Sequence, residues 1–250
     1  MDLALAGKRA LVLGASKGLG AAVARRLTAE GAQVAVVARS APDYDGVHHI
    51  AADLAGAGAA GRIAQQALAV LGGVDILVLN SGGPAAGSAR ETGTGAFAAA
   101  FEPMFLAQTE IARTLLPGMA ERGFGRIIAI GSISVAEPMA NMVLSNSLRA
   151  ALAAWCKTLS REVAAQGVTV NMLLPGQIAT NRIRELNTAL AVHAGISVEE
   201  QNARVLANIP AGRLGSPEEF GAAAAFLASP LAGYVTGSML RIDGGLAHGF

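Results

Sequence analysis

The chain has 250 residues, 52% of them apolar and 15% charged, which excludes a disordered or solvating polymer and suffices for a sizeable core. A net charge of +1 gives no long-range field to gather nucleic acid or an anionic membrane, and 4% aromatics leaves few stacking platforms for bases. The 31 glycines keep no period of three, which excludes collagen, and a single cysteine, Cys156, cannot close an internal disulfide.

In chain order, the first nine residues carry no basic region ahead of an apolar core, so no secretory signal is expected. Residues 8–14 read as a buried strand, and Leu19, Val23 and Leu27 then mark one stripe of a helix. Strands follow at 33–38 and, more weakly, at 47–51. Ile63, Ala67 and Leu71 define a second helix, and 75–80 a strong strand. A long helix is expected from Thr94 to Arg122, bent at Pro103, then a strand at 125–130. Leu144, Leu148, Leu152, Trp155, Leu159 and Val163 trace a further helix, followed by a strand at 167–174. The segment from Asn181 to Gly212 mixes cationic and apolar residues and reads as an irregular insertion, placed where a substrate lid would sit. Ser216 caps a helix beginning at Pro217, and 239–242 closes the chain as a strand. The uncharged run Phe220–Leu240 contains Pro230 and three glycines, so it reads as helix, turn and strand and not as a membrane span; a cytoplasmic location is expected. Strands alternating with helices of this length imply one α/β domain over 1–250, a doubly wound parallel sheet with helices on both faces.

The strongest local signal is Gly14-Ala15-Ser16-Lys17-Gly18-Leu19-Gly20, set between the first strand and the first helix. Its glycines allow a tight turn and close backbone approach, and the helix N-terminus offers free N–H groups to a pyrophosphate.

Further landmarks follow in order: Asp53 after the third strand, Asn80-Ser81-Gly82-Gly83 after the fourth, Ser132 after the fifth, and Pro175-Gly176-Gln177-Ile178-Ala179-Thr180 after the sixth. Tyr234-Val235-Thr236-Gly237 and Asp243-Gly244-Gly245 complete the set. Their order and spacing resemble the short-chain dehydrogenase/reductase family over nearly the whole chain. The resemblance implies a seven-stranded single-domain Rossmann fold, a nicotinamide cofactor and a homodimer or homotetramer. It also implies that Asp53, with Leu54, lies at the adenine. Asn80, Ser81 and Gly82 would lie at the ribose region, and Pro175, Gly176, Ile178 and Thr180 at the nicotinamide. The second strand ends Ala38-Arg39-Ser40, with no acid at its tip to hold a ribose 2′-hydroxyl. Arg39 and Lys17 supply cations suited to a 2′-phosphate, so NADP is the expected cofactor.

The catalytic positions depart from the family, whose site uses Asn, Ser, Tyr and Lys. Counting from Ser132 and from Pro117 places Met104, Ser132, Ser145 and Arg149 at those four positions. Leu144-Ser145-Asn146-Ser147-Leu148-Arg149, with Gly82-Gly83-Pro84, resembles divergent β-ketoacyl-carrier-protein reductases. Halohydrin dehalogenases also place Arg where Lys stands, but they lack an intact glycine loop and keep the Tyr. Serine is a much weaker acid than a tyrosine phenol, and arginine does not relay protons. Arg149 is expected to hold the nicotinamide ribose and lend positive potential, and Ser132 and Ser145 to hydrogen-bond a substrate oxygen. His193, in the insertion, is an alternative acid. The expected activity is NADP-dependent interconversion of a carbonyl and an alcohol, on a small carbonyl or an acyl thioester. The alternatives are a cofactor-binding protein without redox turnover and a non-redox lyase or isomerase in the same pocket. Cys156 reads as a packing residue, and no His/Cys spacing suits a metal.

Overall fold

The computed structural model describes residues 1–249. The chain runs β1 (Arg9–Leu13), α1 (Gly18–Ala29), β2 (Gln33–Ala38), β3 (Val47–Ala51), α2 (Ala59–Leu71) and β4 (Ile76–Leu79). Then come α3 (Thr94–Phe101), α4 (Ala107–Glu121), β5 (Gly125–Ile130), α5 (Val143–Val163) and β6 (Val168–Pro175). Helices α6 (Asn181–Ala194), α7 (Val198–Ala207) and α8 (Pro217–Ala228) precede β7 (Met239–Ile242). The strands form a seven-stranded sheet in the order β3-β2-β1-β4-β5-β6-β7. Every pairing is parallel.

Strand periodicity builds two cores. Leu11 and Leu13 face α2, α4 and α5 with Ile127 and Val170. Ala10 and Val12 point the other way, against α1 and α8 with Ile128 and Phe220. Both faces are thus covered, which is why the strands read as unbroken apolar runs. Because all seven strands are parallel, the loops after β1 to β6 emerge at one edge. The strand order reverses between β1 and β4, and the crevice opens there.

Two expectations need correction. The segment 181–212 is not irregular, because α6 and α7 occupy most of it. Thr180 Oγ1 accepts the N–H of Ile183, and Ser197 Oγ accepts that of Glu200 at 3.0 Å, so each helix starts on a side-chain cap. The long helix expected from 94 to 122 is interrupted, not simply bent. Residues Glu102–Leu106, which include Pro103, form a π-helical turn between α3 and α4. Gln108 Nε2 donates to the carbonyls of Pro103 and Met104 at 3.0 and 3.1 Å, compensating backbone groups the wider turn leaves open. No helix among the described residues is long and apolar enough to cross a membrane.

Candidate active site

The loop joining β1 to α1 is held from beneath by Asn80, at the end of β4. Asn80 Nδ2 donates to the carbonyls of Leu13 at 3.2 Å and Gly14 at 3.0 Å. Two glycines make that latch possible. Gly14 sits at φ +60°, and a Cβ there would lie 2.9 Å from Asn80 Nδ2. A Cβ on Gly20 would come within 2.5 Å of the Gly14 carbonyl oxygen. At Gly18, by contrast, a Cβ would meet nothing within 4 Å, so this side of the loop is open.

The N-terminus of α1 is bare. Lys17 occupies its cap position without a side-chain hydrogen bond, and the first turn holds no acid. Helices α2, α3 and α5 also lack a side-chain cap, whereas α6, α7 and α8 each carry one and α8 has a full capping box between Ser216 and Glu219. Uncapped N–H groups, the positive end of the helix dipole and an open Gly18 together suit a phosphate group.

Arg39 and Ser40 follow β2 as exposed residues, and Arg39 Nη1 lies 3.9 Å from Asp53 Oδ2, with Leu54 buried beside it. The Arg39 side chain is 82% exposed and Asp53 52%, so this pair is loose and leaves guanidinium donors available. After β4, Ser81 is half-buried and Gly82 exposed, with nothing within 4 Å of a Cβ on Gly82. The residues after β6 are more occupied. A Cβ on Gly176 would lie 2.7 Å from Asp243 Cβ, which gives this glycine a packing reason. Ile178 is buried and bridges Gly215, Pro175 ends β6, and Thr180 caps α6.

The positions counted from Ser132 converge on the end of β5. Ser132 stands two residues beyond that strand and caps the 3-10 turn Ile133–Val135, its Oγ accepting the N–H of Ser134 at 3.1 Å. Ser145 lies in the first turn of α5 and is buried. Its Oγ accepts from Arg149 Nε at 3.3 Å, and Arg149 Nη1 donates to the Ile130 carbonyl at 2.6 Å, tying α5 to β5. Burial pulls the Arg149 guanidinium down to about 10, which leaves it charged at neutral pH. Met104 is buried within the π-helical turn. His193 is exposed on α6. Cys156 is buried on α5, and desolvation pushes its thiol up to about 12, in keeping with packing.

Four residues with no motif of their own also shape this edge. Tyr44 O–H donates to the Ala15 carbonyl at 2.6 Å, bracing the glycine loop from the β2–β3 connection. Burial pushes that phenol up to about 12, and Arg25 stacks over its ring at 4.5 Å. Arg182 of α6 reaches back to the Pro84 carbonyl at 3.3 Å, so α6 touches the loop after β4. Gln108 supports the π-helical turn as described above. Glu137 accepts the N–H groups of His248 at 2.6 Å and Gly249 at 2.7 Å, drawing the C-terminal residues toward the loop after β5. The contacts of Gln108 are local, but those of the other three join residues far apart in sequence, and no local pattern marks them. A cavity of ≈ 470 Å³ lined by Lys8, Arg9, Asp75 and Arg122 lies at the opposite edge of the sheet, away from this chemistry.

Sheet order, glycine turn and bare helix terminus at the switch point define a Rossmann-type dinucleotide-binding protein. A family model described as Enoyl-(Acyl carrier protein) reductase matches residues 14–247, and the chain belongs to the short-chain dehydrogenase/reductase family. It is 36% identical over 250 residues to the 3-oxoacyl-(acyl-carrier-protein) reductase of Vibrio cholerae, covering 97% of this chain and 98% of that protein. The L-sorbose reductase of Gluconobacter frateurii, solved with NADPH and L-sorbose, superposes with a TM-score of 0.92 at 30% identity over the full length of both chains. YwfH, an NADPH-dependent reductase involved in bacilysin biosynthesis, gives 0.90 at 29% identity over 98% of this chain and 100% of its own.

Proposed function

We propose that the protein is an NADP(H)-dependent oxidoreductase that interconverts a carbonyl and an alcohol, with Ser132, Ser145 and Arg149 at its reacting centre. The observation that carries this is the uncapped N-terminus of α1 behind the Gly14–Gly20 loop, with Arg39 exposed at the end of β2. The backbone around Gly14, Ser16, Lys17, Gly18, Leu19 and Gly20 would hold the pyrophosphate, and Arg39, Ser40 and Lys17 the 2′-phosphate. Asp53 and Leu54 would flank the adenine. Asn80, Ser81, Gly82 and Arg149 would serve the ribose and nicotinamide, with Pro175, Gly176, Ile178 and Thr180 behind the ring. Relatives named as NADPH reductases support the choice of cofactor.

Bound NADPH would supply the hydride that carbonyl reduction requires. The side chains of this chain would do the rest. Ser132 and Ser145 donate hydrogen bonds to the substrate oxygen, and Arg149 holds positive charge beside it. Water delivers the proton, because no phenol stands on α5. A missing general acid typically costs about 10²–10⁴ in rate, which slows such a reaction without abolishing it. Helices α6 and α7 would form the lid over a small carbonyl or an acyl thioester, in a homodimer or homotetramer.

Fluorescence titration with NADPH followed by NADPH oxidation against ketones and β-ketoacyl thioesters tests the proposal. Tight binding with turnover is the expected result. Binding without turnover on any carbonyl would make it a cofactor-binding protein, and no binding at millimolar NADPH would leave only non-redox chemistry.

A further inference from the structure

The cavity of ≈ 470 Å³ at the N-terminal ends of β1 and β4 takes no part in the chemistry proposed above. Strand β1 runs five residues from Arg9 to Leu13, so at about 3.3 Å per residue this cavity lies about 15 Å from the glycine loop. Four of its lining residues are charged: Lys8, Arg9, Asp75 and Arg122. Three cations against one carboxylate give a local charge of +2, in a chain whose total is +1. Positive charge is therefore concentrated here.

The groups in this cavity that would repel an anion are already used. Asp75 accepts from Arg9 N, Nε and Nη2 and from Arg122 Nε, so both carboxylate oxygens are committed. The Gly72 carbonyl accepts Arg9 Nη1, and the Val74 carbonyl accepts Arg122 Nη2 at 2.5 Å. What remains is a set of donors. Lys8 Nζ makes no hydrogen bond or ion pair among the described residues; it lies 4.1 Å from the centroid of the Phe124 ring. That contact uses the ammonium's charge and leaves its N–H groups for another partner. Arg122 Nη1 also has no hydrogen-bond partner among the described residues, and the side chain is 34% exposed. Its bonds to Asp75 and Val74 hold the guanidinium in one orientation, so little rotamer freedom is left to lose on binding an anion.

Charge, volume and lining narrow the ligand. A phosphate monoester carries about −1.5 to −2 at pH 7, which matches the local +2, whereas a single carboxylate would leave half of it uncompensated. The volume falls within the range of about 300–1,000 Å³ typical of small-molecule sites, and a bare phosphate would leave most of it empty. A nucleobase is not suited, because Lys8 Nζ and Arg126 Cζ already stand 4.1 and 4.2 Å from the centre of the Phe124 ring. Ala6 and Gly7 complete the wall without a bulky apolar side chain, which suits a hydroxylated scaffold over a hydrocarbon chain.

We infer that this cavity is a second ligand site, separate from the cofactor crevice, for a phosphate monoester of a small non-aromatic polyol or sugar. Lys8 and Arg122 hold the phosphoryl oxygens, and Asp75 with Arg9 keeps Arg122 in position. The inference goes beyond the carbonyl–alcohol reading and does not rest on it, and no bond is made or broken at this site.

The test titrates glucose 6-phosphate by calorimetry into protein saturated with NADPH, so that the glycine loop is already filled. Saturable binding with a Kd below about 1 mM is expected, with none for glucose. Lys8→Gln and Arg122→Gln should each weaken it at least about tenfold. Lys8→Glu, which takes the local charge from +2 to 0, should abolish it. Should Arg122→Gln fail to fold, the two Lys8 variants decide. Arg39→Ala, titrated without NADPH, should bind the ester as tightly as wild type.

Absent binding, equal binding of glucose, or full binding in Lys8→Glu overturns the inference. So does a loss of binding in Arg39→Ala, which would place the ester at the 2′-phosphate site. Co-sedimentation with phosphatidic acid vesicles that Lys8→Glu abolishes, in the absence of glucose 6-phosphate binding, would assign the cavity to a lipid headgroup and overturn it too. Lys8→Glu titrated without NADPH gives its answer whether or not the cofactor binds, so failure here and failure of the oxidoreductase reading are distinguishable.

Discussion

Asn80→Ala tests whether the β4 latch is what shapes the cofactor loop. Asn80 is buried, and its amide spans the Leu13 and Gly14 carbonyls at 3.2 and 3.0 Å. Two hydrogen bonds at about 0.5–1.5 kcal/mol each predict a loss of about 1–3 kcal/mol. For a chain of this size that corresponds to a fall in Tm of about 4–8 °C at the midpoint of that range. The loss should also appear in function, because Gly14 and Gly20 both crowd the same amide and lose their shared support. NADPH binding should weaken up to about tenfold, the equivalent of 1.4 kcal/mol. Asn80→Asp should be worse, since it turns acceptor oxygens toward two carbonyl oxygens. Calorimetry and fluorescence titration of the same preparations measure both effects. If Asn80→Ala melts within about 1 °C of wild type and binds NADPH equally well, the latch is not what holds the loop.

Four further outcomes follow from particular contacts. Arg39→Ala should weaken NADPH at least about tenfold while leaving NADH nearly unchanged, since a fork–phosphate contact is lost only for the former; equal weakening would reject the 2′-phosphate role. Tyr44→Phe removes the O–H bonded to Ala15 and should cost about 1 kcal/mol, with a modest loss of NADPH affinity in the same titration; no change in either would free Tyr44 from any part in the loop. Asp75 accepts from Arg9 N at 3.1 Å, from Arg9 Nε at 2.8 Å and Nη2 at 2.7 Å, and from Arg122 Nε at 2.9 Å. Burial alone would raise its carboxyl, but the bonds from Arg9 and the charges of Arg9 and Arg122 outweigh that and hold it below its ordinary value. Its stabilisation is therefore complete above the ordinary carboxylate pKa of about 4 and is lost as pH falls through the lower folded value. Asp75→Asn should cost about 2 kcal/mol or more and flatten acid unfolding below pH ~4 by denaturant melts; an unchanged acid limb would contradict the linkage. Cys156 should resist alkylation in the native protein at pH 8 and react only on denaturation, and rapid native labelling by mass spectrometry would show its burial to be wrong.

Much of this fold was legible because its strands are short, apolar and buried on both faces. Residues 33–38, 47–51 and 125–130 match β2, β3 and β5 at both ends. Ser216-Pro217 announced α8 as its N-cap and first helical residue, and the structure adds Glu219 as the other half of a capping box. The 181–212 segment misled because α6 and α7 bury little: α7 has no buried residue and α6 only Asn187 and Ala191, so no broad apolar stripe marks either. Ser197-Val198-Glu199-Glu200 does carry a capping-box spacing, the one local sign that a helix begins there. At Pro103 the sequence pointed to a bend. The π-helical form depends on Gln108 folding back onto two carbonyls, a choice made by side-chain geometry.

The amino-acid order alone determined a parallel α/β sheet and a glycine turn ahead of the first helix, which periodicity and spacing set as local properties of the chain, while Ser132, Ser145 and Arg149 were picked out by resemblance to the family's pattern. Only the tertiary structure decided how each polar atom is used. It placed both Asn80 N–H donations on the glycine loop, braced that loop with Tyr44, and turned Ser132 and Ser145 into acceptors with free O–H groups. The reason is physical: a hydrogen bond has a distance and a direction, and partners separated by tens of residues acquire both only when the strands and helices that carry them have packed.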